Sequence, residues 1–229
     1  MTKINLTIIG SNSDLIQPLI NKGNTNNIRI QSINRNQWDL STIYAPKKVI
    51  KDIIEFNPSQ LIFAAGINET VNIHSESPTQ IIQCVEKHIS VNCNSFLWLC
   101  LELQRELKNP LVGIHGISSL YGIYGRRTRL PYSISKHAFE AAIKCLATEF
   151  PKTQVLGYRP GFFETKLTSQ NISKPLLEKL KSRVPKNRLG SPKELSELIL
   201  SNIIHPIQYL SGVCITIDGG MTSGGIFEP

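Results

Sequence analysis

Tyr132 and Lys136 stand four residues apart in a segment, Pro131 to Phe150, whose apolar residues recur at helical spacing, so both side chains project from one face. An ammonium beside a phenol favours the phenolate and draws its pKa down from about 10 toward neutral pH. That pairing suits a group that gives a proton to a substrate oxygen or takes one from it. Ser119, just beyond the apolar run Leu111 to Ile117, can donate a hydrogen bond to the same oxygen. Together the three would hold a carbonyl or alcohol and move its proton while a hydride moves elsewhere. Such Tyr and Lys pairs also arise on solvated helix faces, so the pair takes its meaning from its surroundings.

The elements that must position these groups alternate along the chain. Leu6 to Ile9, Ile28 to Ile33, Leu61 to Ala65, Leu111 to Ile117, Gln154 to Gly157 and Val213 to Ile217 are short apolar runs that read as buried strands. Tyr44 to Phe56, Pro78 to Leu107, Pro131 to Phe150, Pro175 to Arg183 and Pro192 to Ile204 read as helices, four of them with Pro in the first turn, where its missing N–H does no harm. Alternation of this kind predicts an α/β fold: one Rossmann-like, doubly wound parallel sheet with helices on both faces, spanning residues 1–229 as a single domain.

Composition narrows the classes. A chain of 229 residues with 41% hydrophobic and 18% charged residues has enough aliphatic surface for a full core, which excludes a disordered protein. The net charge of +8 suggests an anionic partner. The basic residues are scattered and lack aromatic interleaving, so nucleic acid is not expected. Five cysteines without a C-x-x-C pair argue against a disulfide framework and fit a reduced, cytoplasmic compartment. The first ten residues are too short for a membrane span and read as a strand rather than a signal. The histidines form no ligand spacing with one another or with cysteines, so no metal is expected.

In this context the chain resembles the short-chain dehydrogenase/reductase family over nearly its whole length. Gly10-Ser11-Asn12-Ser13-Asp14-Leu15 sits where that family has its glycine-rich turn, and Ala64-Ala65-Gly66 where it has Asn-Ala-Gly. Val91-Asn92 is similar to the segment bearing its helix asparagine, and Ser119, Tyr132 and Lys136 match the other three members of its catalytic tetrad. Arg159-Pro160-Gly161-Phe162-Phe163-Glu164-Thr165 resembles its segment beside the nicotinamide; Arg188 to Pro192 and Ile217 to Gly220 resemble its C-terminal signatures. The resemblance implies Tyr132 as acid/base, Lys136 as the group that lowers its pKa and holds the nicotinamide ribose, and Ser119 as the group that positions the reacting oxygen. It implies that Asn92 breaks its helix locally so that a water can link Lys136 to solvent. Plainer readings stand beside these: Asn92 as a mid-helix polar residue and Ser119 as a strand-end cap.

Two departures from the pattern matter. Asp14 and Ile16 replace the second and third glycines of the turn, touching pyrophosphate approach and helix packing. Asp14 could cap the first helix, but a carboxylate near a diphosphate is electrostatically unhelpful. A catalytically silent binding or scaffold protein with weakened cofactor binding therefore remains the alternative. The other departure is a contraction: where the family has a helix and a strand, Asn36, Gln37 and Trp38 join Asn34-Arg35 to Asp39-Leu40. A similar contraction in sugar-nucleotide reductases hints at a sugar-type substrate, and a neutral deletion is the plainer account. Arg35 offers a guanidinium suited to a 2'-phosphate, so NADP is expected ahead of NAD, with Asp39 near the adenine.

Tyr121 to Pro131 must border the pocket mouth if the tetrad is right, and Tyr121, Arg126 and Arg129 are candidate contacts for an anionic substrate; a solvated loop or subunit contact is the other reading. Lys166 to Asn187 falls where relatives have a mobile substrate lid. Enoyl reductases of this superfamily space Tyr and Lys seven apart, and position 129 is Arg, so a ketoreductase is expected instead. By resemblance the protein is also expected to form a homodimer or homotetramer through the two long helices.

Overall fold

The computed structural model describes residues 3–23, 27–166, 168 and 173–224. Its elements run β1 (Ile4–Ile9), α1 (Gln17–Gly23), β2 (Ile28–Ile33), α2 (Lys47–Phe56), β3 (Gln60–Phe63), α3 (Pro78–Ile89), α4 (Ser95–Glu106), β4 (Gly113–Ile117), α5 (Leu130–Glu149), β5 (Gln154–Pro160), α6 (Lys174–Lys181), α7 (Pro192–Ile204), β6 (Val213–Ile217) and α8 (Met221–Gly224). The described strands pair in parallel in the order β2-β1-β3-β4-β5-β6. Order reverses between β1 and β3, and the carboxyl ends of those strands open the crevice in which doubly wound sheets bind ligands. The expected Rossmann-like sheet is what forms.

Burial explains the strand pattern. β3 and β4 are buried along their whole length because helices cover both faces, whereas the edge strands β2 and β6 are half-exposed. On one face Phe63, Phe96 and Phe139 pack with centroids 4.6 to 6.3 Å apart, joined by Trp38, Val49 and Ile53. On the other, Leu19 of α1 and Leu195 and Ile199 of α7 cover Leu6, Ile8 and Leu156. Gly116 lets α5 come down on the sheet: a methyl there would lie 2.5 Å from the Phe139 ring.

The segment from Pro78 to Leu107 is not one α-helix. A π turn at Ser90–Asn94 separates α3 from α4. Ser77 and Ser191 cap α3 and α7 in capping boxes with Gln80 and Glu194. The helix expected from Tyr44 starts at Lys47, behind Pro46, which lacks the N–H and fixes the turn. β4 starts at Gly113, later than expected, and β5 runs on to Pro160. Between β2 and α2 lies only a 3-10 turn, Leu40–Thr42, so among the described residues no strand flanks β2 on its outer side. The contraction thus leaves β2 as an edge.

Candidate active site

Four strand ends and one helix face meet at the crevice. Ser119 follows β4 and caps the 3-10 turn Leu120–Gly122, its Oγ accepting the Tyr121 N–H at 3.3 Å. Its hydroxyl also hydrogen-bonds the phenol of Tyr132. The capping reading and the functional reading of Ser119 are therefore compatible.

Tyr132 and Lys136 lie on one face of α5, with Lys136 Nζ 5.8 Å from the Tyr132 ring centroid. The ammonium is buried and donates to the Ile117 carbonyl at 2.8 Å. Burial pushes Lys136 down to about 8, against the pull of the Glu140 carboxylate. Burial pushes the Tyr132 phenol above its ordinary range, opposed by the Ser119 hydrogen bond. This reverses the direction expected from the Tyr and Lys spacing: Nζ is committed to the Ile117 carbonyl, and desolvation of the phenol dominates.

Asn92 is fully buried within the π turn, so the local break expected of its helix is present. Its Nδ2 donates to the Ile67 carbonyl at 3.0 Å and to Ser135 Oγ at 2.9 Å, and its Oδ1 accepts the Ile67 N–H at 2.8 Å. Ser135 Oγ in turn donates to the Tyr132 carbonyl at 2.8 Å. Asn92 thus ties the loop after β3 to the helix that bears Tyr132. A methyl on Gly66 would stand 3.0 Å from Asn92 Oδ1 and 3.8 Å from Lys136 Nζ, so the bare backbone there lets the loop after β3 approach both polar groups closely.

The turn after β1 is built on Gly10, whose φ of +82° and approach to Ala65 (2.5 Å from a notional Cβ to Ala65 N) exclude any side chain. Ser11 is buried beneath it. Asn12 lies on the turn, and Leu15 packs toward the core. Ile16, at the third glycine's position, is itself fully buried core, and α1 begins after it at Gln17. Asp14 does not cap α1. Its carboxylate accepts the Lys166 N–H at 2.8 Å and lies 3.9 Å from Lys166 Nζ, so its charge is paired with the segment after Thr165.

At the end of β2, Asn34 Oδ1 accepts the Asn36 N–H while Arg35 is exposed near Asp39. Hydrogen bonds from Ser41 hold the Asp39 carboxyl below its usual range. Leu40 turns its side chain into the core. Ala64 and Ala65 line the crevice floor half-buried, and Pro160 and Gly161 close β5 against Asp218. Phe163 is packed onto Gly190, and the Thr165 N–H is taken by Thr168 Oγ1 at 2.8 Å. Leu167 and residues 169–172, part of the expected lid, lie outside the described residues, as do Met1 and Thr2.

The loop after Ser119 is tied down more firmly than its composition suggests. Arg126 Nη1 donates to Tyr121 Oη at 2.6 Å, and the Tyr121 ring stands edge-on to Tyr132 with centroids 5.7 Å apart. Arg129 Nη1 donates to the Asn68 carbonyl and to Asn68 Oδ1 at 3.0 and 2.6 Å. Thr128, at a φ of +67°, turns its carbonyl to the Val71 N–H.

Two groupings escaped the sequence reading. Cys84 and His88, four apart on α3, meet Glu69 with ligand atoms within 4.8 Å; the i, i+4 spacing was the signal. In this arrangement His88 Nε2 accepts the Glu69 N–H, Nδ1 donates to the Cys84 carbonyl, and Lys87 holds the Glu69 carboxylate at 2.6 Å. Those bonds occupy both ring nitrogens of His88 and one oxygen of Glu69. The second is Glu140, buried one turn beyond Lys136 and bound by Arg159 and Ser118.

Known proteins share this architecture. Residues 60–222 match the family model described as enoyl-(acyl carrier protein) reductase. A 3-oxoacyl-[acyl-carrier-protein] reductase of Buchnera aphidicola is 28% identical over 224 residues, covering 95% of this chain and 87% of that one. The protein of the same name from Aquifex aeolicus is 32% identical over 139 residues, 59% of this chain and 56% of the other. The solved structure of 4-hydroxyisoleucine dehydrogenase complexed with NADH superposes with a TM-score of 0.84 at 26% identity, over 96% of this chain and 99% of that one. Among the described residues, no helix is long and apolar enough to cross a membrane. A family match across well over half of the chain, carried on this doubly wound sheet, makes the protein a member of the short-chain dehydrogenase/reductase family of oxidoreductases.

Proposed function

We propose that the whole chain is one reductase domain that interconverts a ketone and a secondary alcohol. The convergence of Ser119, Tyr132 and Lys136 at the end of β4, beside Gly66 and the Asn92 π turn, is the observation that carries this reading. Tyr132 gives its phenolic proton to the substrate oxygen in reduction and takes it back in oxidation. Ser119 donates a second hydrogen bond to that oxygen, and Lys136 keeps positive charge near the phenol. A nicotinamide nucleotide supplies or accepts the hydride when bound. The residues fit such a group: Gly10 and Gly66 leave bare backbone at the switch point, and the repulsive Asp14 is paired with Lys166.

The exposed Arg35 at the end of β2 favours NADP, whose 2'-phosphate a guanidinium would bind. The four-residue spacing from Tyr132 to Lys136 favours carbonyl over enoyl reduction. The two curated relatives are named as 3-oxoacyl reductases, which supports a 3-oxoacyl thioester; the contraction after β2 keeps an oxo-sugar nucleotide as the second class to assay. Arg126 and Arg129 are each engaged, by Tyr121 and by Asn68, so Tyr121, edge-on to Tyr132, is the better candidate to meet substrate, with Arg126 behind it. Exposed Ile82, Leu101 and Ile134 on the long helices support a homodimer or homotetramer. The silent-scaffold alternative keeps one observation in its favour, the acidic Asp14 in the glycine-rich turn.

Titration of NADPH and NADH by intrinsic fluorescence, repeated with Tyr132→Phe, tests the reading. Binding in both proteins and turnover of 3-oxoacyl thioesters or oxo-sugar nucleotides in the parent alone are expected. Failure of both nucleotides to bind would leave the scaffold reading.

A further inference from the structure

Glu140 is buried, and both its oxygens are engaged. Oε1 accepts Ser118 Oγ and Arg159 Nε, each at 2.7 Å, and Oε2 accepts Arg159 Nη2 at 2.6 Å. Arg159 also donates to the Cys214 carbonyl at 2.9 Å and contacts Thr216 Oγ1 at 3.4 Å. Gly122 rests on the same carboxylate: a methyl there would collide with Oε1. The neighbours of Ser119 on both sides, Ser118 and the turn ending at Gly122, are therefore seated on Glu140.

Buried ion pairs bring little net stability, since desolvation offsets their attraction and apolar residues of similar size do as well. A charge clamped so tightly at this point invites another role. Lys136 sits one helical turn away with its ammonium removed from water. The groups facing it are Tyr132 and Glu140 on α5, Cys93 in the π turn, Cys214 on β6 and, through Glu140, Arg159 on β5. Burial pushes the Cys93 and Cys214 thiols up, Cys214 to about 12, so among the described groups Glu140 alone supplies negative charge at neutral pH.

We propose that Glu140 is a positioning residue for the active site, its carboxylate clamped by Arg159 so as to hold Lys136 in the ammonium form. This rests on the assignment of Lys136 to the reaction. Arg159 fixes the carboxylate's orientation, and Ser118 takes the second lone pair of Oε1.

The test needs neither substrate nor cofactor. Protein labelled with 15N-lysine gives an Nζ signal for Lys136, identified by its loss in Lys136→Met, whose pH titration is followed directly. Glu140→Gln keeps an acceptor for Ser118 but removes the charge, and the Lys136 midpoint should fall by about one unit or more. Glu140→Gln/Arg159→Met removes both charges; its thermal midpoint should recover toward the parent while the Lys136 midpoint stays low. That pattern separates charge from scaffolding, and the double variant carries the test if the single one does not fold. An unchanged Lys136 midpoint in whichever variant folds overturns the proposal. Failure of NADPH and NADH to bind the parent would overturn the reductase reading and leave this titration intact, so the two failures are distinguishable.

Discussion

Lys136 is folded at a cost. Its pKa in the protein, about 8, lies below that of the unfolded chain, so the native state releases a proton that the unfolded state keeps. Below pH 8 the full penalty is present, and it is relieved as pH rises from 8 toward the unfolded value near 10.4. Replacing Lys136 with Met should therefore stabilise the protein by about 2 kcal/mol at pH 7, after allowing for the lost bond to Ile117, and the gain should shrink by pH 10. Urea unfolding at the two pH values checks it; a variant less stable than the parent at pH 7 would show that the ammonium is better solvated than its burial implies. Tyr132 and Lys136 were legible because their types and spacing are local, whereas Ser119 and Asn92, 13 and 40 residues from Tyr132, took their meaning from resemblance to a known family. Glu140 was not legible, because Ser118 and Arg159 reach it from 22 and 19 residues away, and only the fold brings them together.

At the scale of elements, the apolar runs located every strand because a parallel sheet covered on both faces needs continuous hydrophobic segments. Helix starts were less legible: Pro46 and the Ser77 and Ser191 caps set them, and the π turn depends on Asn92 finding Ile67 across the fold. The sheet interior carries a polar chain across its central strands that composition did not foretell. His115 on β4 bridges Gln60 on β3 and Tyr158 on β5, with 3.0 Å on each side, and burial lowers its pKa to about 3. The unfolded state binds a proton near pH 6.5 that the native state refuses, so stability should fall as pH drops below 6.5 and keep falling to about 3. Between pH 6.5 and 5 this amounts to about 2 kcal/mol. Urea midpoints for the parent and for His115→Gln over that range test it, the variant being expected to lose less.

For the whole molecule, the +8 charge and the contracted β2 region bear on the same question. The contraction places Arg35 at an open edge of the sheet beside the switch point, where a bound adenosine phosphate would meet it. Arg35→Asp should reverse the preference from NADPH toward NADH, read as the ratio of dissociation constants in fluorescence titrations; an unchanged ratio would put the 2'-phosphate elsewhere. On the proposed reading, such a reversal would make the anionic partner suggested by the charge a cofactor phosphate.

The strand order has a further consequence, for how the chain assembles as it leaves the ribosome. β2 joins one side of β1, β3 the other, and each later strand adds to the outer side of its predecessor. No described strand has to be threaded between two already paired, so from β3 onward the sheet can grow at a single front in the order of synthesis. The groups of the site are delivered along that front, Gly10 first, then Gly66, then Ser119 and Tyr132, and the clamp on Glu140 closes only when Arg159 on β5 arrives.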